Sequence, residues 1–198
     1  MHALKIMMPA ALASVLLAGA ARAEPPPPAS LADAVIQVAD KVCRPAADTQ
    51  TPPASFAAAA GYQQEATAPP NLPVGSTALS TWRAPSPEGR LYVMSGLYPE
   101  STTPSTCLIA IYDTKVDGLT QQIGAYVLGL KRGFAANPSY NITTGAAHLT
   151  RYDRRAGDTL HSVTIMEMLA PKPGEPAEVV AAFTVDYGWI LHPGHAHP

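Results

Sequence analysis

Residues 107–113 read CLIAIYD, and this stretch decides the fold that the sequence predicts. Side chains alternate between the two faces of a strand, so Cys107, Ile109 and Ile111 are expected to share one face. If that face lies under the first helix of the chain, Cys107 can meet Cys43. The stretch therefore predicts a sheet to which a helix is attached covalently.

The helix that carries Cys43 is predicted from residues 30–45, SLADAVIQVADKVCRP. Ser30 can cap its N-terminus, with Asp33 three residues later as a variant of the capping box. Pro45 is expected to end the helix, because proline interrupts helical hydrogen bonding. One stripe at helical spacing would be buried: Leu31, Val35, Val38 and Val42.

The chain has two cysteines, Cys43 and Cys107, so a single intramolecular pairing is possible. In an exported protein an even cysteine count favours a disulfide. The bond would close a loop of about 65 residues and stabilise the fold by about 4 kcal/mol in the chain-entropy model. The alternatives are a reactive Cys107 nucleophile and thiols that stay free or pair between molecules.

The N-terminal residues predict export. Residues 1–23 combine Lys5, a short apolar run and the small-residue site Ala21-Arg22-Ala23, which is typical of a secretory signal peptide cleaved near Ala23. Residues 24–30 are rich in proline and are interpreted as a tether. No later run reaches the length of a membrane-spanning helix. We expect a periplasmic or secreted protein that does not span the membrane.

The remaining elements predict an α+β domain over residues 31–191. A second helix is expected in residues 51–61 and a third in residues 117–133, with strands before and after the third. The order is α-α-β-β-β-α-β-β-β. Because short turns join neighbouring strands, we expect one antiparallel sheet of about six strands with the helices on one face.

Composition limits the partners of this domain. Without residues 1–23 the chain has 11 basic and 15 acidic residues, a net charge of −4. No strongly basic patch is evident, so a nucleic-acid partner is not expected. A partner protein or an envelope component is expected instead, and the oligomeric state is left open. No cofactor is expected, apart from the metal considered next.

The C-terminal segment, residues 192–198, contains His192, His195 and His197. Closely spaced imidazoles can bind zinc or copper. Prolines and a glycine surround them, and no acidic residue or thiolate lies nearby in sequence, so we expect a flexible tail with weak, adventitious metal binding. A metal-handling role is the alternative.

A second candidate site is the predicted hairpin over residues 148–161. With Ala156 and Gly157 at its turn, Tyr152 would lie opposite His161. Tyr152, Arg154 and His161 would then share one face. An arginine there could bind an anionic ligand through its planar donors. The alternative is a solvated hairpin tip whose charges prevent pairing with other chains.

No catalytic motif is recognisable, including the G-x-S-x-G elbow of hydrolases. The sequence therefore favours an exported, non-enzymatic binding or accessory module. Two alternatives remain: a metal-handling protein that uses the histidine tail, and a hydrolase or thiol enzyme centred on Cys107.

Overall fold

A computed structural model describes residues 27–67, 69, 77–97, 106–144, 147–169 and 183–191. The predicted signal peptide, residues 24–26 of the proline-rich tether and the histidine tail lie outside these residues. In the described part of the chain, no helix has the length and apolar character needed to cross a membrane.

The first helix, α1, covers residues 31–49 in three consecutive segments: Leu31–Val38 is α-helical, Ala39–Cys43 is π-helical and Arg44–Thr49 is α-helical. Ser30 caps it as predicted, because its hydroxyl accepts a hydrogen bond from the Asp33 N–H at 3.1 Å. The prediction that Pro45 ends the helix was wrong. Pro45 falls in the first turn of the segment after the π-helical turn, a position that tolerates a residue without an N–H donor.

Two further helices follow. Helix α2 is Pro53–Ala59, and helix α3 is Leu119–Gly129. A short 3-10 turn covers Pro138–Tyr140. The N-cap position of α3 is held by Gly118 in the left-handed conformation, without a side-chain hydrogen bond.

The strands form one antiparallel sheet in the order β1-β2-β3-β4-β9-β8-β7-β5, and β6 also pairs with β7. Their bounds are β1 Gln63–Glu65, β2 Thr77–Ala84, β3 Arg90–Leu97, β4 Thr106–Tyr112, β5 Ala135–Ala136, β6 Ile142–Thr143, β7 Ala147–Ala156, β8 Thr159–Met168 and β9 Phe183–Leu191.

The α+β class, the antiparallel sheet and the disulfide are confirmed, but the expected count of about six strands was too low. The sheet of the described residues has nine. The three additional strands are β1, β5 and β6, which are only two or three residues long. Each of them pairs with part of a longer strand. The segments that contain these short strands have no periodicity in sequence, so no pattern predicts them.

Strand β9 occupies the middle of the sheet, between β4 and β8. Tyr187 on β9 lies opposite Cys107 on β4 and opposite Val163 on β8. Strand β9 therefore joins the strands that precede α3 in sequence to the hairpin of β7 and β8 that follows α3.

The main core lies between the helices and one face of the sheet. Cys43 on the π-helical turn of α1 is bonded to Cys107 on β4, with Cα atoms 5.2 Å apart, and both residues are fully buried. This bond fixes α1 over the centre of the sheet, as the sequence predicted. A second buried cluster lies on the opposite face of β3 and β4: Tyr92, Met94, Leu108, Ala110 and Tyr112.

Candidate functional site

The hairpin of β7 and β8 is present, but its register differs from the prediction. Gly157 has a φ of 58° and begins the turn with Asp158, so Ala156 pairs with Thr159. Each predicted partner is therefore displaced by two residues. Arg154 lies opposite His161, and Tyr152 lies opposite Val163 instead of His161.

Tyr152 shares a face with Arg154 and His161 but belongs to the core. It is 8% exposed and packs under α3, where a Cβ atom added to Gly124 would lie 2.3 Å from the Tyr152 hydroxyl oxygen. Gly124 therefore allows α3 to pack closely against β7. Tyr152 does not line the space that Arg154 and His161 line.

Arg154 and His161 open into a space between the ends of α1 and α3 and the strands β7, β8 and β9. We call this space the arginine cleft. It measures about 300 Å³ when counted out to open solvent. Its lining is Arg44, Ala47, Asp48, Leu130, Arg132, Phe134, Arg154, His161, Ser162, Tyr187 and Gly188.

A sharp change of chain direction after α3 brings Arg132 and Phe134 to the cleft. Lys131 has a φ of 51° and Gly133 a φ of 78°, so the backbone turns twice through the left-handed region within three residues. Phe134 then contacts Arg154, whose Cζ lies 5.2 Å from the ring centroid. This cation–π contact holds the guanidinium group beside the cleft.

Asp48 joins the cleft to α1. One carboxylate oxygen accepts a hydrogen bond from Arg154 Nη2 at 3.0 Å, and the other accepts one from Arg132 Nη1. A single carboxylate thus bridges two arginines that come from β7 and from the segment after α3. The Asp48 side chain is 31% exposed, so solvent reaches this bridge.

A second ionic group lies on the same helix, where Asp40 is about two turns before Asp48. Asp40 accepts a hydrogen bond from the Tyr126 hydroxyl and pairs with Arg44 at 2.9 Å. Burial, followed by the hydrogen bond to Asp40, raises the pKa of Tyr126 well above its ordinary value. These contacts fix Arg44 at the edge of the cleft and connect α1 to α3.

Three buried polar atoms of residues that line the cleft have no partner with regular hydrogen-bond geometry in the described part of the chain: Arg154 Nε, His161 Nδ1 and Tyr187 Oη. Tyr187 nevertheless interacts with the Tyr126 hydroxyl, which helps to raise its pKa. Tyr187 is 3% exposed and His161 is 6% exposed. Burial raises the pKa of Tyr187 far above its usual range, and the nearby Tyr126 and Asp40 add to this. Both residues are therefore uncharged at neutral pH, since burial and the Arg154 charge lower the pKa of His161.

Cys107 does not provide a thiol in this structure. Cys43 and Cys107 are the two cysteines of the sequence, and both sulfur atoms are in the disulfide. A thiol enzyme centred on Cys107 requires a free thiolate, which neither residue supplies.

The predicted metal ligands His192, His195 and His197 lie outside the described residues. Within the residues that are described, no group of three or more His, Cys, Asp or Glu side chains is placed to hold a metal ion.

Sequence reasoning found Arg154 and His161 but missed Arg44, Asp48 and Tyr187. Asp48 lies beyond the point where Pro45 was expected to end the helix, so its position was not considered. A signal was nevertheless present, because an acidic residue near a helix C-terminus is disfavoured by the helix dipole and calls for a separate explanation.

Comparison of the chain with models of known protein families, with curated proteins and with solved structures gave no match. The function must therefore be argued from the site itself.

Proposed function

We propose that this protein is an exported, non-enzymatic binding module that holds an anionic group of its partner in the arginine cleft. The observation that carries the proposal is the set of buried polar atoms around one space that have no partner with regular hydrogen-bond geometry among the described residues: Arg154 Nε, His161 Nδ1 and Tyr187 Oη. A buried polar atom without a partner costs about 1–3 kcal/mol. Such costs are acceptable where a ligand supplies the missing partners.

The charge of the cleft favours an anion. Three arginines line it, Arg44, Arg132 and Arg154, and two carboxylates oppose them: Asp48 in the lining, and Asp40, which pairs with Arg44 beside it. Arginine presents planar, forked donors that match the oxygens of a carboxylate or a phosphate. Tyr187 and His161 add groups that can donate a hydrogen bond without changing charge.

The lining suits binding more than catalysis. Among the residues that line the cleft, Asp48 is the only carboxylate, and two arginines already engage it. Ser162 also lines the cleft, but the alternation along β8 directs its side chain to the face opposite His161. A general base next to a nucleophile, which covalent catalysis requires, is not assembled there.

The disulfide supports the exported location. A fully buried disulfide that joins a helix to the central strand is typical of proteins that fold in oxidising compartments. The sequence of residues 1–23 independently predicts export. The partner is therefore sought among proteins and envelope components outside the cytosol.

Anion binding can be tested by nuclear magnetic resonance with sodium acetate and inorganic phosphate as probes, titrated into the oxidised chain labelled with ¹⁵N. We expect saturable shifts of the signals of Arg154, His161 and Tyr187, and weak binding in the millimolar range, since small fragments bind weakly. Substitution Arg154→Gln should abolish these shifts.

The matched control is Arg83→Gln. Arg83 is exposed on β2, five strands away from β7 in the sheet, or about 24 Å at ordinary strand spacing. This variant should bind the probes as the unmodified chain does. Shifts that do not saturate, or that persist unchanged in the Arg154→Gln variant, would show that the cleft is not the anion site.

A further inference from the structure

We infer that Asp48 is a tethered competitor in the arginine cleft, and that the ligand is a carboxylate that takes its place on Arg132 and Arg154. This inference rests on the proposed function and adds both the chemical class of the ligand and the way in which access to the site is controlled.

The bridge made by Asp48 defines the ligand class. Its two oxygens contact guanidinium groups from two different elements, one oxygen to Arg132 and the other to Arg154. The spacing of the two guanidinium groups therefore already fits the two oxygens of one planar carboxylate. A carboxylate from a partner would find the same pair of donors in the positions that already hold the carboxylate of Asp48.

The space available leads to the same conclusion. Beside Asp48 the cleft has room for about one water molecule, which leaves no room for a further carboxylate. If the side chain of Asp48 rotates into solvent, the volume of one carboxylate becomes free. Because Asp48 is 31% exposed, this rotation requires no disruption of the core. The remainder of the ligand would lie outside, at the solvent opening.

The position of Asp48 in α1 makes its release inexpensive. Asp48 is the penultimate residue of the helix, which ends at Thr49 and is followed by Gln50 in the left-handed conformation. A negative charge at this end interacts unfavourably with the helix dipole. The contact with the arginines opposes that repulsion, and exposed ion pairs contribute little net stability. A ligand carboxylate without the dipole penalty can therefore compete with Asp48.

Once Asp48 has left, the buried polar atoms of the cleft can contribute. Arg154 Nε, His161 Nδ1 and Tyr187 Oη have no partner with regular hydrogen-bond geometry among the described residues. The short side chain of Asp48 bonds Arg154 through Nη2 only. A carboxylate that enters from solvent is not tethered to α1, so it is free to engage these additional donors.

The test compares the unmodified chain with Asp48→Asn, using N-acetylglycine as the carboxylate probe, N-acetylglycinamide as its neutral analogue and inorganic phosphate as the alternative anion. Removal of the competing charge should tighten N-acetylglycine binding by about two- to fivefold, the effect of one exposed ion pair. Asp117→Asn is the charge-matched control. Asp117 is exposed and lies just before the N-terminus of α3, whereas the cleft lies at the C-terminal end of this helix. It should leave the affinity unchanged.

Each outcome decides one point. If Asp48→Asn binds N-acetylglycine no more tightly than the unmodified chain, the competitor role is wrong, although anion binding itself stands. If phosphate binds the variant more tightly than N-acetylglycine, the ligand class is wrong. If neither protein binds any probe, the proposed function fails as well.

A measurement on the unmodified chain covers the case in which Asp48→Asn does not fold. Saturation with N-acetylglycine should shift the side-chain carboxyl ¹³C signal of Asp48 towards that of a solvated aspartate, while the Nη signals of Arg132 and Arg154 remain those of bonded guanidinium groups. An Asp48 signal that does not move while the probe binds would overturn the displacement.

Discussion

Arg154 and His161 lie directly opposite each other on β7 and β8, and each keeps one buried nitrogen without a hydrogen bond. The two side chains also affect each other electrostatically. Burial is the main reason that the pKa of His161 is lowered from its ordinary value of 6.5, and the positive charge of Arg154 is the next. The imidazole therefore stays neutral beside a cation, which keeps one of its nitrogens available as an acceptor and the other as a donor.

This relationship predicts an acid-side loss of stability. Because the folded-state pKa of His161 lies below 6.5, the unfolded chain takes up a proton first as the pH falls through 6.5. The stability is therefore complete above that pH and decreases below it, towards the folded-state pKa. Urea unfolding between about pH 7.5 and about pH 5.5, above the range in which most carboxylates titrate, should show this decrease.

The variant His161→Gln should have a flatter pH profile over the same interval, because glutamine does not titrate. His148→Gln is the control, since His148 lies on β7 opposite Glu167, far from the cleft along the hairpin. It should retain the decrease. A His161→Gln profile as steep as that of the unmodified chain would assign the effect to other groups.

A second prediction concerns Tyr187, whose buried hydroxyl has no partner with regular hydrogen-bond geometry in the described part of the chain. Substitution Tyr187→Phe removes an unsatisfied polar atom, so the free energy of unfolding should rise by about 1 kcal/mol. The same change should weaken binding of the anion probes. Thermal unfolding followed by circular dichroism, together with the titrations described above, measures both effects.

Tyr126→Phe provides the matched comparison. The Tyr126 hydroxyl donates a hydrogen bond to the charged Asp40, so its removal should lower the free energy of unfolding by about 2 kcal/mol. The prediction for Tyr187 is contradicted if its phenylalanine variant loses as much stability as Tyr126→Phe.

The long strand β4 could be predicted from the sequence because a short apolar run bounded by turn residues is typical of a buried strand. Residues 107–113 were assigned as a strand, and β4 is Thr106–Tyr112. The insertion of β9 between β4 and β8 could not be predicted in this way. The alternation of side chains predicts which residues share a face of the sheet. It does not predict which strands become neighbours when they are far apart in sequence.

The candidate site was predicted only where it is local in sequence. Arg154 and His161 belong to one hairpin, so their common face follows from the period of two, even though the turn was misplaced. Asp48 and Arg132 reach the cleft only through the packing of two helix ends. The extension of α1 past Pro45 depends on a π-helical turn, and the residue pattern did not indicate that turn.

A third prediction uses the contact between α3 and β7. Alanine at position 124 should improve helix propensity, yet its Cβ would lie 2.3 Å from the Tyr152 hydroxyl oxygen. We expect Gly124→Ala to lower the free energy of unfolding by about 1–3 kcal/mol through overpacking. The double variant with Tyr152→Phe should regain much of this loss, because the next ring atom lies at 3.2 Å.

Gly129 on the same helix is the control for Gly124. A Cβ at Gly129 would meet no atom within 4 Å, so Gly129→Ala should be neutral or stabilising by about 0.5–1 kcal/mol. Equal effects of the two alanine substitutions on urea unfolding would rule out the steric explanation.

The last prediction concerns the bond between α1 and β4. Cys43 and Cys107 are separated by 64 positions, so the disulfide restricts a long loop of the unfolded chain. The chain-entropy model predicts that opening the bond lowers the free energy of unfolding by about 4 kcal/mol. Urea unfolding of the oxidised chain and of the same chain in a phosphine reductant measures this difference while both sulfur atoms remain in the core. The unfolded reduced chain is also less restricted, so its dependence on urea should be steeper. A difference below about 1 kcal/mol would show that the packing of α1 on the sheet, and not the covalent bond, maintains the position of the helix and of the cleft residues it carries.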